Sequence, residues 1–184
     1  MDGFMLCQGV SVNGADNLHS CYKKDENGIS GLLSCDVMAE CAVKFIKIIP
    51  EPVFFFLELP QSDSNDYDTY YLDNCTRDVA LAIMKRYGDL LVNDGLSRFG
   101  FGSHKTDEEI YFTDYQEFMI YSPQKDKLKK LMAELGAEFT DDVHSIWDLI
   151  SEDNEGSLSA VEAEGETVFD IPDNLGSEGM YKAN

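Results

Sequence analysis

Between Thr76 and Tyr121 the hydrophobic period of the chain changes from helical to alternating. Val79, Ala80, Ile83, Met84, Tyr87, Leu90 and Leu91 recur at three- and four-residue steps, which sets them on one stripe and predicts a helix over Thr76–Val92. Thr76 is the expected N-cap, and Asp78 suits the positive end of the helix dipole. Lys85 and Arg86 belong to the wet side, and Asn93-Asp94-Gly95 ends the helix with Gly95 at positive φ. The period then becomes two. Strands are predicted over Ser97–Gly102, Glu109–Thr113 and Glu117–Tyr121, with Phe99/Phe101, Ile110/Phe112 and Phe118/Ile120 facing a core and Arg98 and Gly100 facing away. Asp114-Tyr115 reads as a tight connection between the last two.

The flanking chain reads the same way. Val37, Cys41, Phe45 and Ile49 predict a helix over Asp36–Ile49 that Pro50 ends. Val53–Leu59, nearly all apolar between Pro52 and Pro60, is expected as an interior strand covered on both faces, and Thr69–Leu72 as a further strand. Helices follow over Gln124–Leu135, with Gly136 as C-cap, and over Asp141–Ile150, where Val143, Ile146, Trp147 and Ile150 form a stripe that puts Trp147 in the core. Residues 1–30 read as a loosely structured lead-in, with a short strand around Met5–Val12 and a turn at Asp25–Gly28. Residues 151–184 read as an acidic, largely irregular tail anchored at Thr167–Ile171. The expectation is one α+β domain over 1–184. Its mainly antiparallel sheet of about five strands packs with three to four helices, and the tail partly covers the second sheet face.

Composition narrows the function. The formal charge is −21, and no Lys or Arg occurs between Lys47 and Arg77 or between Lys130 and Lys182. That balance disfavours nucleic acid and anionic lipid as partners and favours fast capture of a basic one. No run approaches the length of a membrane helix, no signal peptide is visible, and five scattered cysteines suit a reducing compartment, so the expected address is the cytoplasm.

Motifs for chemistry are sparse. Cys7, His19, Cys21, Cys35 and Cys41 lack the short Cys-x-x-Cys spacing of a zinc site. Ser151–Glu162 places several acidic residues as a calcium loop would, but has Ser151 where an anchoring Asp is needed. Neither a metal nor a cofactor is expected. Phe99–Lys105 lacks the ending of a phosphate loop and reads as part of a hairpin. An acid–base site would centre on His104 with Arg98. A partner-binding face would use Asp141, Asp142, Asp148, Glu152, Asp153 and Glu155.

The run from Tyr87 to Gly102, then Glu109-Ile110-Tyr111, Tyr115 and the closing Gly179-Met180-Tyr181, resembles a group of small acidic bacterial proteins, over most of the chain from about Val53 onward. Some families of this kind are read as immunity proteins that neutralise a toxin of the same or a neighbouring cell. The resemblance implies a binding role and brings no catalytic residues. Three readings stand: an acidic binder of a basic protein, an immunity-type inhibitor by preference; a small enzyme around Arg98 and His104; an adaptor or structural module.

Overall fold

A computed structural model of the chain describes residues 3–184. In chain order its elements are β1 (Val10–Ser11), β2 (Cys21–Asp25), β3 (Gly28–Leu32), α1 (Cys35–Ile48), β4 (Val53–Pro60), β5 (Tyr67–Cys75), α2 (Arg77–Asn93) and β6 (Arg98–Ser103). Then come β7 (Glu108–Phe112), β8 (Glu117–Tyr121), α3 (Lys125–Glu134), β9 (Glu138–Phe139), β10 (Ser157–Leu158), α4 (Ile171–Asn174) and β11 (Tyr181–Lys182). The α+β class is as expected, but the sheet is larger than the expected five strands. Among the described residues nine strands run in the order β11-β5-β4-β6-β7-β8-β3-β2-β9, and β1 and β10 form a separate ribbon. Every pairing is antiparallel except β2 with β9.

The extra strands come from segments without a clear period. Residues 21–32 of the expected lead-in form a hairpin, with Cys21 opposite Leu32 and Asp25 opposite Gly28. The lead-in is therefore ordered over much of its length, although residues 1 and 2 lie outside the described chain. Strands of two residues, as at β9 and β11, leave no alternation to detect.

The core lies on one side of the sheet. Val53, Phe55, Leu57, Phe99, Phe101, Ile110, Phe112, Phe118 and Ile120 are all at most 1% exposed. They are the alternate positions of β4, β6, β7 and β8, and α1 and α2 pack over them with Met38, Phe45, Ile83, Met84 and Tyr87. Each such Phe or Leu contributes about 2–3 kcal/mol of hydrophobic stabilisation.

Helix α2 begins at its expected cap, for the Thr76 hydroxyl accepts from Val79 N at 3.3 Å. Val79 itself is exposed, because the buried stripe starts one residue later at Ala80. The helix ends through Asp94, not through a positive-φ Gly95. Buried Asp94 accepts from Leu96 N (2.9 Å), Ser97 N (2.8 Å) and Val161 N (3.0 Å). Gly95 instead permits close backbone approach: a Cβ there would collide with the carbonyl of Gly9.

The expected helix over Asp141–Ile150 is absent. Only a single 3-10 turn forms, at Ile146–Leu149, where Ser145 and Asp148 make a reciprocal capping box. The preceding Asp-Asp-Val-His-Ser run holds weak helix formers that bond their own backbone, as when Asp142 N donates to Thr140 Oγ1 at 3.2 Å. One anchor, Ile146, is fully buried, while Trp147 is 49% exposed instead of lying in the core.

The tail is tied down along α2 and meets the second sheet face at its end, where the Tyr181 ring lies 6.2 Å from that of Tyr71. Gly95 N donates to Ser159 O at 3.0 Å and Ser159 N to Gly9 O at 2.9 Å, Glu166 pairs with Arg86, and Val168 and Ile171 are fully buried at the expected anchor. The chain then reaches the sheet edge, where Tyr181 lies opposite Tyr71 of β5.

The second face of the central strands is covered by their own aromatic side chains. Phe54 and Phe56 point away from the helices, and each ring lies over a glycine of β6, Gly102 and Gly100. Tyr71, Tyr111 and His104 close around them, at ring separations of 6.1, 5.3 and 4.5 Å. Strand β4 is thus covered on both faces, as its apolar run implies.

Candidate functional site

The six carboxylates expected to bind a partner sit on one ordered strap, residues 140–155, beside the turn that joins β7 to β8. A buried side chain and five hydrogen bonds hold the strap. Ile146 is its buried anchor. Ser145 N donates to Asp148 Oδ2 at 2.8 Å. Ser151 and Asn154 exchange backbone hydrogen bonds, both 3.1 Å, closing a turn with Glu152 and Asp153 at its tip. The Asn154 amide then donates to the carbonyls of Leu149 (2.7 Å) and Asn13 (3.1 Å), pinning that turn to the body.

All six side chains are exposed. Asp148 lies 3.9 Å from His144, and the other five make no ion pair among the described residues. In their midst Trp147 stands edge-on against Tyr115, with ring centroids 4.5 Å apart and planes at 73°. Tyr115 is itself held at positive φ in the β7–β8 turn. A large exposed aromatic on a fixed support, carried by a strap of exposed negative charge, is suited to contact with a protein surface of opposite sign.

Arg98 and His104 both flank the aromatic face, but at opposite ends of β6, roughly 20 Å apart at the rise of a strand. They do not share a cleft. Arg98 is satisfied within the fold. It donates to Asp114 through Nε (2.8 Å) and a terminal nitrogen (2.6 Å), lies 3.9 Å over the Tyr67 ring, and has Glu58 at 3.9 Å. Hydrogen bonding to Asp114 raises its already high pKa further. Tyr111 donates to Glu58, and burial first, then Glu58, pushes its phenol up.

His104 has other company. Its Nε2 lies 2.9 Å from Asp73 Oδ1, and the hydroxyl of Tyr181 donates to Asp73 Oδ2 at 2.6 Å. Burial would raise the Asp73 carboxyl, but the bonds from His104 and Tyr181 outweigh it and hold the group below its ordinary value. These groups, with Phe54, Tyr71 and Glu109, line a pocket of about 360 Å³. Burial, then the charge of Glu58, raises the Glu109 carboxyl. No local spacing could have joined these residues. Asp73 lies 31 residues from His104 and 108 from Tyr181, and the β11–β5–β4–β6 order brings them together.

Among the described residues no group of three His, Cys, Asp or Glu side chains is placed to hold a metal ion, and no helix is long and apolar enough to cross a membrane. Compared with protein-family models, curated proteins and solved structures, the chain finds no match.

Proposed function

We propose that this protein is a non-enzymatic acidic binder of a basic protein, an immunity-type inhibitor that covers the working face of a basic toxin such as a nuclease. One observation carries the reading: exposed Trp147, fixed against Tyr115, lies on a strap whose Asp141, Asp142, Glu152, Asp153 and Glu155 have no cationic partner among the described residues. The carboxylates stand in for substrate phosphates and steer encounter, and Trp147 supplies the desolvated contact that slows release. The strap is already ordered, so little conformational entropy is lost on docking.

The test is protection. A basic toxin-like protein found encoded beside this one is expressed with the wild type or with a variant bearing Asp141→Asn, Asp142→Asn, Asp148→Asn, Glu152→Gln, Asp153→Asn and Glu155→Gln. The wild type rescues growth, and the neutralised variant, folded by its melting curve, does not. Equal rescue by both would refute the role of the strap.

The His104–Asp73 contact favours a second reading, proton transfer at the sheet-face pocket. A toxin whose neutralisation fails with His104→Gln but survives strap neutralisation would select that reading.

A further inference from the structure

The N-terminal segment ahead of β1 is threaded between the first turn of α1 and the last turn of α2. Met5 N donates to Ser34 Oγ at 2.9 Å, and Cys35 N donates to Met5 O at 3.0 Å. Two residues on, Cys7 N donates to the Gln116 side chain at 2.8 Å, while the Cys7 thiol meets Met38 Sδ at 3.7 Å. Met38 is one helical turn beyond Cys35, on the same side of α1. The Cys35 thiol in turn lies 3.5 Å from Asn93 Oδ1, the atom that also accepts from Gln8 N at 3.2 Å. Cys7 is thus held with its thiol against the helical turn that Cys35 opens, and each thiol acts on the ionisation of the other.

We propose that Cys7 and Cys35 are a redox pair that a hydroperoxide converts to a disulfide, with Cys35 as the thiol that meets the oxidant. Their environments divide the labour. Cys35 opens α1, where the helix dipole favours a thiolate, and it is partly exposed. The bond from Cys7 lowers its pKa, against opposition from burial, Asp36 and Asp89. Cys7 is 2% exposed, and its bond to Cys35, then burial, holds it as the thiol.

The chemistry balances as two thiols plus one hydrogen peroxide giving one disulfide and two waters. The Cys35 thiolate attacks a peroxide oxygen, the O–O bond breaks, and hydroxide leaves and takes a proton as water. Cys7 sulfur then attacks the Cys35 sulfenic sulfur, the S–O bond breaks, and the departing hydroxide takes the Cys7 proton as the second water. The product staples the N-terminal segment to α1. Cys21, Cys41 and Cys75 are buried and serve as internal controls.

The experiment is limited oxidation of the full chain with hydrogen peroxide, followed by intact mass and non-reducing peptide mapping. The mass falls by two hydrogen atoms, the cross-link maps to Cys7–Cys35, and dithiothreitol reverses both. The melting temperature rises on the order of 5–10 °C and returns on reduction. With Cys7→Ser the reaction stops at a Cys35 sulfenic acid that dimedone traps. Oxygen addition at Cys35 of the wild type without hydrogen loss, a cross-link elsewhere, or no reaction at Cys35 while the folded control thiols react would each overturn the proposal.

Discussion

Trp147 rests edge-on against Tyr115 at 4.5 Å, yet nearly half of its surface is open. A tryptophan in this position adds little to the core and much to any contact formed over it. Trp147→Ala is expected to cost at most about 1 kcal/mol of folding stability while weakening partner binding at least tenfold, or about 1.4 kcal/mol. Urea unfolding beside titration calorimetry separates the two effects.

The aromatic layer on the second sheet face depends on Gly100. A Cβ there would overlap the Ile110 carbonyl and the Phe56 ring at once. Gly100→Ala is expected to cost about 2–3 kcal/mol, read as a lower urea midpoint with an unchanged slope.

Arg98 and Asp114 form a two-point ion pair, 26% and 16% exposed. Removing one partner strands the other in a half-covered site. Asp114→Ala is expected to cost about 2 kcal/mol, and Arg98→Met added to it to recover part of that loss. A thermodynamic cycle of the two substitutions checks the coupling.

Glu109 gives a pH signature. Burial and the charge of Glu58 raise its carboxyl above the ordinary 4.5, so between that value and its raised one the folded state holds more protons than the unfolded. Stability therefore falls as pH rises through this window. Glu109→Gln removes the ionisation, so its melting temperature should exceed that of the wild type near pH 7. The difference should vanish below the unfolded value. A constant difference across pH would contradict the assignment.

The periodic stretches were legible in the sequence, and the rest depended on long-range pairing. Phe99/Phe101, Ile110/Phe112 and Phe118/Ile120 face the core as their alternation implies, and α1 and α2 lie within a residue of their predicted bounds. Of the 21–32 hairpin only the turn at Asp25–Gly28 is legible, because Lys23-Lys24-Asp25 and two glycines carry no apolar alternation, so its register comes from β8. Trp147 was misplaced because an apolar spacing of three and four suggests a helix wherever the chain could afford one, whereas Asp141 to Ser145 prefer turns. The six acidic residues were visible as a charge block, but the Asn154 clasp that orders them needed the fold. His104 was visible as a titratable loop residue, and its partners Asp73 and Tyr181 were not.

Negative charge on the 140–155 strap is proposed to capture a positive partner. The most direct measure of that capture is the association rate constant with the cognate basic protein, from about 0.05 to 0.5 M salt. A steep fall is expected for the wild type, on the order of tenfold or more, and a slow, nearly flat response for the six-site neutralised variant. A wild-type rate indifferent to salt, or a neutralised variant with the same salt dependence, would contradict it.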